Sequence, residues 1–197
     1  MRTWYLVRHG QTEWNAAARM QGQLDSPLTA LGRGQARASG QLLARLGVDA
    51  VFASPLGRVR ETLDLMALPA TPVFDDRLKE WSSGAWSGEL YADLPKRWPG
   101  EFAAWNADRY HQRAPGGENF VDLAERARSF VAAAQGDRIA VVAHGFLNRA
   151  LAEALLALSP AETLQIRQGN DVVIRVTVPS ADHFVGGTGP IRGLPPR

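Results

Sequence analysis

The chain has 197 residues, 45% of them hydrophobic and 21% charged, with a formal net charge of +2. That balance fits a folded globular protein with one full core, and with no long Lys/Arg run it excludes a general nucleic-acid surface. The absence of cysteine excludes disulfides, thiolate nucleophiles and thiolate zinc sites, and agrees with a cytoplasmic location. An apolar run from Trp4 to Val7 opens the chain and stops at Arg8-His9-Gly10. Short apolar runs ahead of a glycine predict a buried strand, with Arg8 and His9 where it emerges. A short helix is expected to about Met20, then a turn-rich loop from Gln21 to Leu28. Thr29 is placed to cap a helix running to Leu46, with Gly47 as its stop and Leu31, Ala38, Leu42, Leu43 and Leu46 on its buried face.

A second strand is predicted at 50–53, leading through Ser54-Pro55 into a helix that ends near Met66 and carries Arg58 in its opening turn. There the backbone N–H groups of the helix also face outward. A short strand at 72–74 precedes irregular chain that holds Glu80. Residues 81–118 contain four of the six tryptophans, broken by Pro95, Pro99 and Pro115. They read as a small helical lid, whose aromatics either stack on a ligand or belong to the core. Asn119 caps a helix to about Gln135. Residues 139–143 form the clearest buried strand and end in His144-Gly145, with a helix beyond. The apolar stretch 146–158 is interrupted by Asn148, Arg149 and Glu153, so no membrane span is expected, and the first seven residues are too few for a signal-peptide core. Residues 172–178 give a last strand, and the Gly- and Pro-rich segment 186–197 is expected to be a flexible tail behind a single domain, 1–185.

Strands alternating with helices predict a three-layer α/β/α sandwich with a mostly parallel central sheet. Parallel strands open their carboxyl ends on one edge, where such folds bind ligands. Arg8, His9, Arg58 and His144 all fall at that edge. Guanidinium groups beside imidazoles suit a tetrahedral oxyanion such as a phosphoryl group. Two histidines among arginines repel a cation, and no carboxylate lies at ligand spacing, so neither a metal nor another cofactor is expected.

These stretches resemble the histidine phosphatase superfamily, which includes cofactor-dependent phosphoglycerate mutases and many phosphomonoesterases. The resemblance rests on residues 6–15 (LVRHGQTEWN), Gln21-Gly22 with residues 25–29, residues 54–58, Leu78 and Glu80 with Gly84, Trp86 and Gly88, residues 115–118, and residues 141–145. It implies that His9 is the nucleophile and becomes phosphohistidine. Arg8, Arg58 and a protonated His144 are implied to hold the phosphoryl oxygens, and Glu80 to act as general acid and base. Asn15, Gln21, Gly22, Arg60 and Gly145 are implied to line the ligand site. The nucleophile must be neutral, so His9 should donate one ring N–H to a backbone carbonyl and present its other nitrogen to phosphorus. Mutases of this family follow the glutamate with Arg-His-Tyr-Gly, whereas Trp81-Ser82-Ser83-Gly84 stands here, and the stretch from Glu80 to Glu118 is short. Both departures favour a phosphomonoesterase acting on a small organic phosphate. A mutase and a non-catalytic phosphate-binding module are the alternatives.

Overall fold

The computed structural model describes residues 2–195. In chain order the strands are β1 (Thr3–Arg8), β2 (Ala50–Ala53), β3 (Val73–Phe74), β4 (Arg138–Ala143), β5 (Val172–Thr177), β6 (Ser180–Val185) and β7 (Ile191–Arg192). The helices are α1 (Glu13–Ala16), α2 (Ala30–Leu46), α3 (Gly57–Met66), α4 (Leu94–Arg97), α5 (Pro99–Ala107), α6 (Phe120–Ala133), α7 (Gly145–Leu156) and α8 (Pro160–Gln165). The sheet runs β3-β2-β4-β1-β5-β6-β7. Among the described residues no helix is long and apolar enough to cross a membrane.

Side-chain alternation along the strands sorts the core into two layers. Trp4 and Leu6 of β1, with Ile139, Val141 and Ala143 of β4, pack against α6 and α7 through Leu123, Phe130, Leu147 and Leu151. Tyr5, Val7, Ala140 and Val142 face the other way onto Leu42 and Leu43 of α2 and Val59 and Leu63 of α3. β4, buried on both faces, is a continuous apolar run for that reason. The tryptophans of segment 81–118 join the first layer: Trp81, Trp86 and Trp105 are buried and packed on one another.

Several expectations need correction. The sheet is mixed: β1, β2, β3 and β4 are parallel, but β5, β6 and β7 are added antiparallel. The segment after residue 185 is no free tail. β7 pairs with Asp182 and His183 of β6, Gly193 donates to the Ala181 carbonyl, and Arg167 donates to the Pro195 carbonyl. Glycine-rich composition marked turns there, and the strand between them is too short to give a period. Residues 196–197 of that tail lie outside the described residues. Leu31 is exposed because it lies on the solvent side of α2, where Gly32, Ala36, Ser39 and Gly40 are buried instead. Small residues mark this face because the helix lies close to its neighbours: a Cβ on Gly32 would run into the Gln11 carbonyl, and one on Gly40 into Met66.

Register positions the site. Arg8 of β1 pairs with Ala143 of β4, and Ala53 of β2 pairs with Val142. One residue further on, His9, His144 and Ser54 are therefore neighbours on the same edge. His9 N–H donates to the Ala143 carbonyl and Ser54 N–H to the Val142 carbonyl, both at 3.1 Å. Because β5 runs antiparallel to β1, its leading loop, residues 166–171, also arrives at this edge.

Candidate active site

The imidazole rings of His9 and His144 lie with centroids 5.3 Å apart. His9 Nδ1 is 2.8 Å from the Gly10 carbonyl oxygen. A carbonyl can only accept, so Nδ1 carries the proton and Nε2 is left with its lone pair. Asn170 Nδ2 donates to the His9 carbonyl at 2.7 Å and fixes the backbone on the other side. Gly10 permits this geometry, since a Cβ there would meet the Gly32 carbonyl at the start of α2.

Burial, then Arg58, then Arg8 hold the His9 imidazolium form well below its ordinary range. His144 is depressed in the same way by burial first, then Arg58 and His9. His144 is thus held towards the neutral form in the free site, because a fully buried ring beside two guanidiniums and another imidazole cannot hold a further positive charge cheaply; the expected imidazolium needs the negative charge of a bound phosphoryl group. Its Nε2 meets Ser54 Oγ at 2.7 Å, while Nδ1 is buried with no partner among the described residues.

Arg58 is almost wholly buried and gripped by the loop before α2. It donates from Nη1 to the Leu24 carbonyl at 2.6 Å and to Asp25 Oδ1 at 2.8 Å, and from Nη2 to the Gly22 carbonyl at 2.8 Å. Gly22 takes a left-handed conformation, φ +53°, in this loop. Arg8 donates from Nη1 to the Gln168 carbonyl at 2.8 Å. The Nε groups of both arginines are buried without partners among the described residues. Buried donors left unpaired cost about 1–3 kcal/mol each, so a cluster of them marks a place built to receive acceptors.

Glu80 closes the pocket. Its Oε1 accepts from the backbone N–H of Trp81 at 2.9 Å and of Leu147 at 3.2 Å, and Oε2 accepts from Phe146 N–H at 3.3 Å. It thereby caps α7, whose own N-cap, His144, makes no side-chain cap bond. Asp25 does the same for α3, accepting from Gly57 and Arg58 N–H at 2.7 and 3.2 Å. Carboxylates already serve the outward-facing amides expected at the start of α3, so anion binding falls to the side chains.

A cavity of about 190 Å³ is lined by Arg8, His9, Arg58 and Glu80, with Asn15, Gln21, Gly22 and Gly145 around them. His144 stands behind His9 and does not line it. Arg60 is not in the site. It is exposed, bonds the Pro55 carbonyl and lies 4.0 Å over the Phe74 ring, because residues two apart on a helix point to different sides. Arg19, Met20, Trp81, Phe146 and Arg149 line the cavity without having been anticipated. For Phe146 and Arg149 a signal existed: with Gly145 they occupy the first turns of the helix that starts at the reactive edge.

The family model of the histidine phosphatase superfamily (branch 1) matches residues 4–185. This chain belongs to that superfamily. Among relatives of this chain, a probable phosphoglycerate mutase GpmB of Salmonella paratyphi B is 32% identical over 189 residues, covering 93% of this chain and 88% of the relative. A mycobacterial glucosyl-3-phosphoglycerate phosphatase, solved with VO3, superposes with a TM-score of 0.80 at 34% identity, over 90% of this chain and 93% of the other. The α-ribazole phosphatase of Shigella flexneri gives a TM-score of 0.82 at 25% identity, over 93% and 95%.

Proposed function

We propose that this member of the superfamily hydrolyses a small organic phosphate monoester through a covalent intermediate on His9. The observation that carries the reading is the Nδ1–H bond of His9 to the Gly10 carbonyl, which leaves Nε2 as a neutral nucleophile beside the guanidiniums of Arg8 and Arg58.

In the forward step Nε2 attacks phosphorus as the ester P–O bond breaks, and protonated Glu80 delivers its proton to the departing alkoxide. In the return step Glu80, now a carboxylate, takes a proton from water as its oxygen attacks phosphorus. The P–N bond breaks and its electron pair returns to Nε2. Arg8 and Arg58 carry fixed positive charge to the equatorial oxygens. Phosphoryl transfer depends mainly on such positioning and charge compensation. Losing one donor of this kind costs about a hundredfold to a thousandfold in turnover.

The test is hydrolysis of p-nitrophenyl phosphate with excess chelator, with acid-labile, base-stable label on the wild type from a 32P donor and none on His9→Ala. A strict metal requirement, or label elsewhere, refutes the mechanism. The Salmonella relative's name supports a second reading, a mutase. Conversion of 3-phosphoglycerate to 2-phosphoglycerate, with catalytic bisphosphoglycerate present and no phosphate released, would establish it instead. The replacement of Arg-His-Tyr-Gly by Trp81-Ser82-Ser83-Gly84 supports hydrolysis.

A further inference from the structure

A second, larger cleft of about 820 Å³ adjoins the phosphate cavity and shares Arg8, Met20, Phe146 and Arg149 with it. The remaining walls include Tyr91, Trp105, Arg109 and Arg167, and no acidic side chain lines it. Four guanidiniums around one cleft is an expensive arrangement unless something negative enters. Several arginines elsewhere are matched, Arg33 with Glu61, Arg77 with Asp75, Arg126 with Glu118 and Arg175 with Asp182, and those left unmatched, such as Arg37 and Arg60, are scattered on the surface instead of gathered around one cleft. Among the described residues, neither Arg109, Arg149 nor Arg167 has a carboxylate within 4.0 Å.

Two of them are nevertheless held in place or held short of full hydration, and Arg167 is exposed. Arg109 lies 4.7 Å over the Trp105 ring and bonds Asn106 Oδ1. Arg149 lies 5.1 Å over the Phe146 ring, with its Nε buried and unpartnered among the described residues. Desolvation lowers its proton affinity to about 10, so it remains charged at neutral pH. Arg167 follows α8, and its backbone is tied to Pro195. The stacked, preoriented guanidiniums of Arg109 and Arg149 suit planar or tetrahedral oxyanions and lose little entropy on binding them, while Arg167 adds charge at the open side.

Resting on the hydrolytic reading above, we infer that this cleft holds the part of the substrate that is not transferred, and that this part carries a second anionic group, a carboxylate or a phosphate. The phosphate cavity, about 190 Å³, is smaller than the pockets of about 300–1,000 Å³ that usually bury a whole small-molecule ligand. The cleft is of a size that takes a sugar-sized body, and Arg149 stands at the junction of the two. Arg109 and Arg167 are the specificity-determining residues, since they reach the cleft without lining the phosphate cavity.

The test compares matched pairs: 3-phosphoglycerate against glycerol 3-phosphate for a carboxylate, and fructose 1,6-bisphosphate against fructose 6-phosphate for a phosphate. We expect wild-type kcat/KM to favour the more anionic member of at least one pair by about tenfold or more, as one charge-assisted bond allows. In the Arg109→Gln/Arg167→Gln variant that ratio should fall to within about threefold. Which pair responds identifies the group. Calorimetric affinities in the His9→Ala background should follow the same ratios, and they report on the cleft whether or not the protein hydrolyses its ligand. Turnover of p-nitrophenyl phosphate reports on hydrolysis alone. Equal treatment of both members in both pairs overturns the inference, as does a preference that survives the double substitution. Should the double variant not fold, the wild-type ratios and Arg167→Gln alone decide.

Discussion

Lowering the pH should destabilise this protein through its two buried imidazoles before its carboxylates titrate. Both folded-state pKa values lie well below 6.5, while the unfolded chain binds protons near 6.5. A depressed folded pKa means that stability is intact above 6.5 and is lost as pH falls below it, since only the unfolded state takes up the proton. One such histidine costs about 1.4 kcal/mol at one unit below its unfolded pKa, and the pair about 3 kcal/mol. Domains commonly hold only about 5–15 kcal/mol in total, so the effect is large. The assay is urea unfolding at pH 7.5, 6.5 and 5.5 for wild type, His9→Gln and His144→Gln. The wild type should lose about 3 kcal/mol between the extremes, and each variant about half of that. Saturating inorganic phosphate, bound only by the folded state, should raise the stability of the wild type at every pH. A wild type as stable at pH 5.5 as at 7.5, or variants that keep its full pH slope, would refute the account of two neutral buried rings.

The remaining predictions concern groups that position the site. Ser54→Ala removes the partner of His144 Nε2 and should cost about 1–3 kcal/mol in urea unfolding, with turnover reduced. Asp25→Asn weakens the grip on Arg58 and the cap of α3 together; a displacement of about 1 Å at the guanidinium should cost about a hundredfold in kcat/KM for an aryl phosphate. Arg126 binds Glu118 and the Arg77 and Lys79 carbonyls just ahead of Glu80, so Arg126→Met should lower kcat more than it raises KM. An unchanged kcat there would remove Arg126 from the support of Glu80.

The reactive edge was legible because two of its strands announce themselves. The apolar run Trp4–Val7 stops at Arg8-His9-Gly10 and Ile139–Ala143 at His144-Gly145, and parallel pairing then brings the two stops together. That one ring N–H of His9 donates to a backbone carbonyl followed from the need for a neutral nucleophile, and the structure shows it to be Nδ1. The charge state of His144 did not follow, because it depends on complete burial and on the sum of neighbouring charges, which no local pattern encodes. Arg60 was misplaced because it rested on the resemblance alone, and a side chain two residues beyond Arg58 on a helix points to a different side. The bracing residues Gln168 and Asn170 come from a loop whose arrival depends on β5 being antiparallel, and the residue pattern of a buried strand does not specify its direction. The antiparallel β6 and β7 escaped notice for a related reason. A half-exposed hairpin rich in polar residues and glycine has no strong alternation to detect.

Glu80 fastens the front of α7 as well as facing the ligand. If it ferries protons, each catalytic cycle must briefly neutralise the anchor of that segment, on which Gly145, Phe146 and Arg149 ride. Bond cleavage and local loosening would then share one timetable, so a product could leave during the same interval in which the carboxyl group is uncharged.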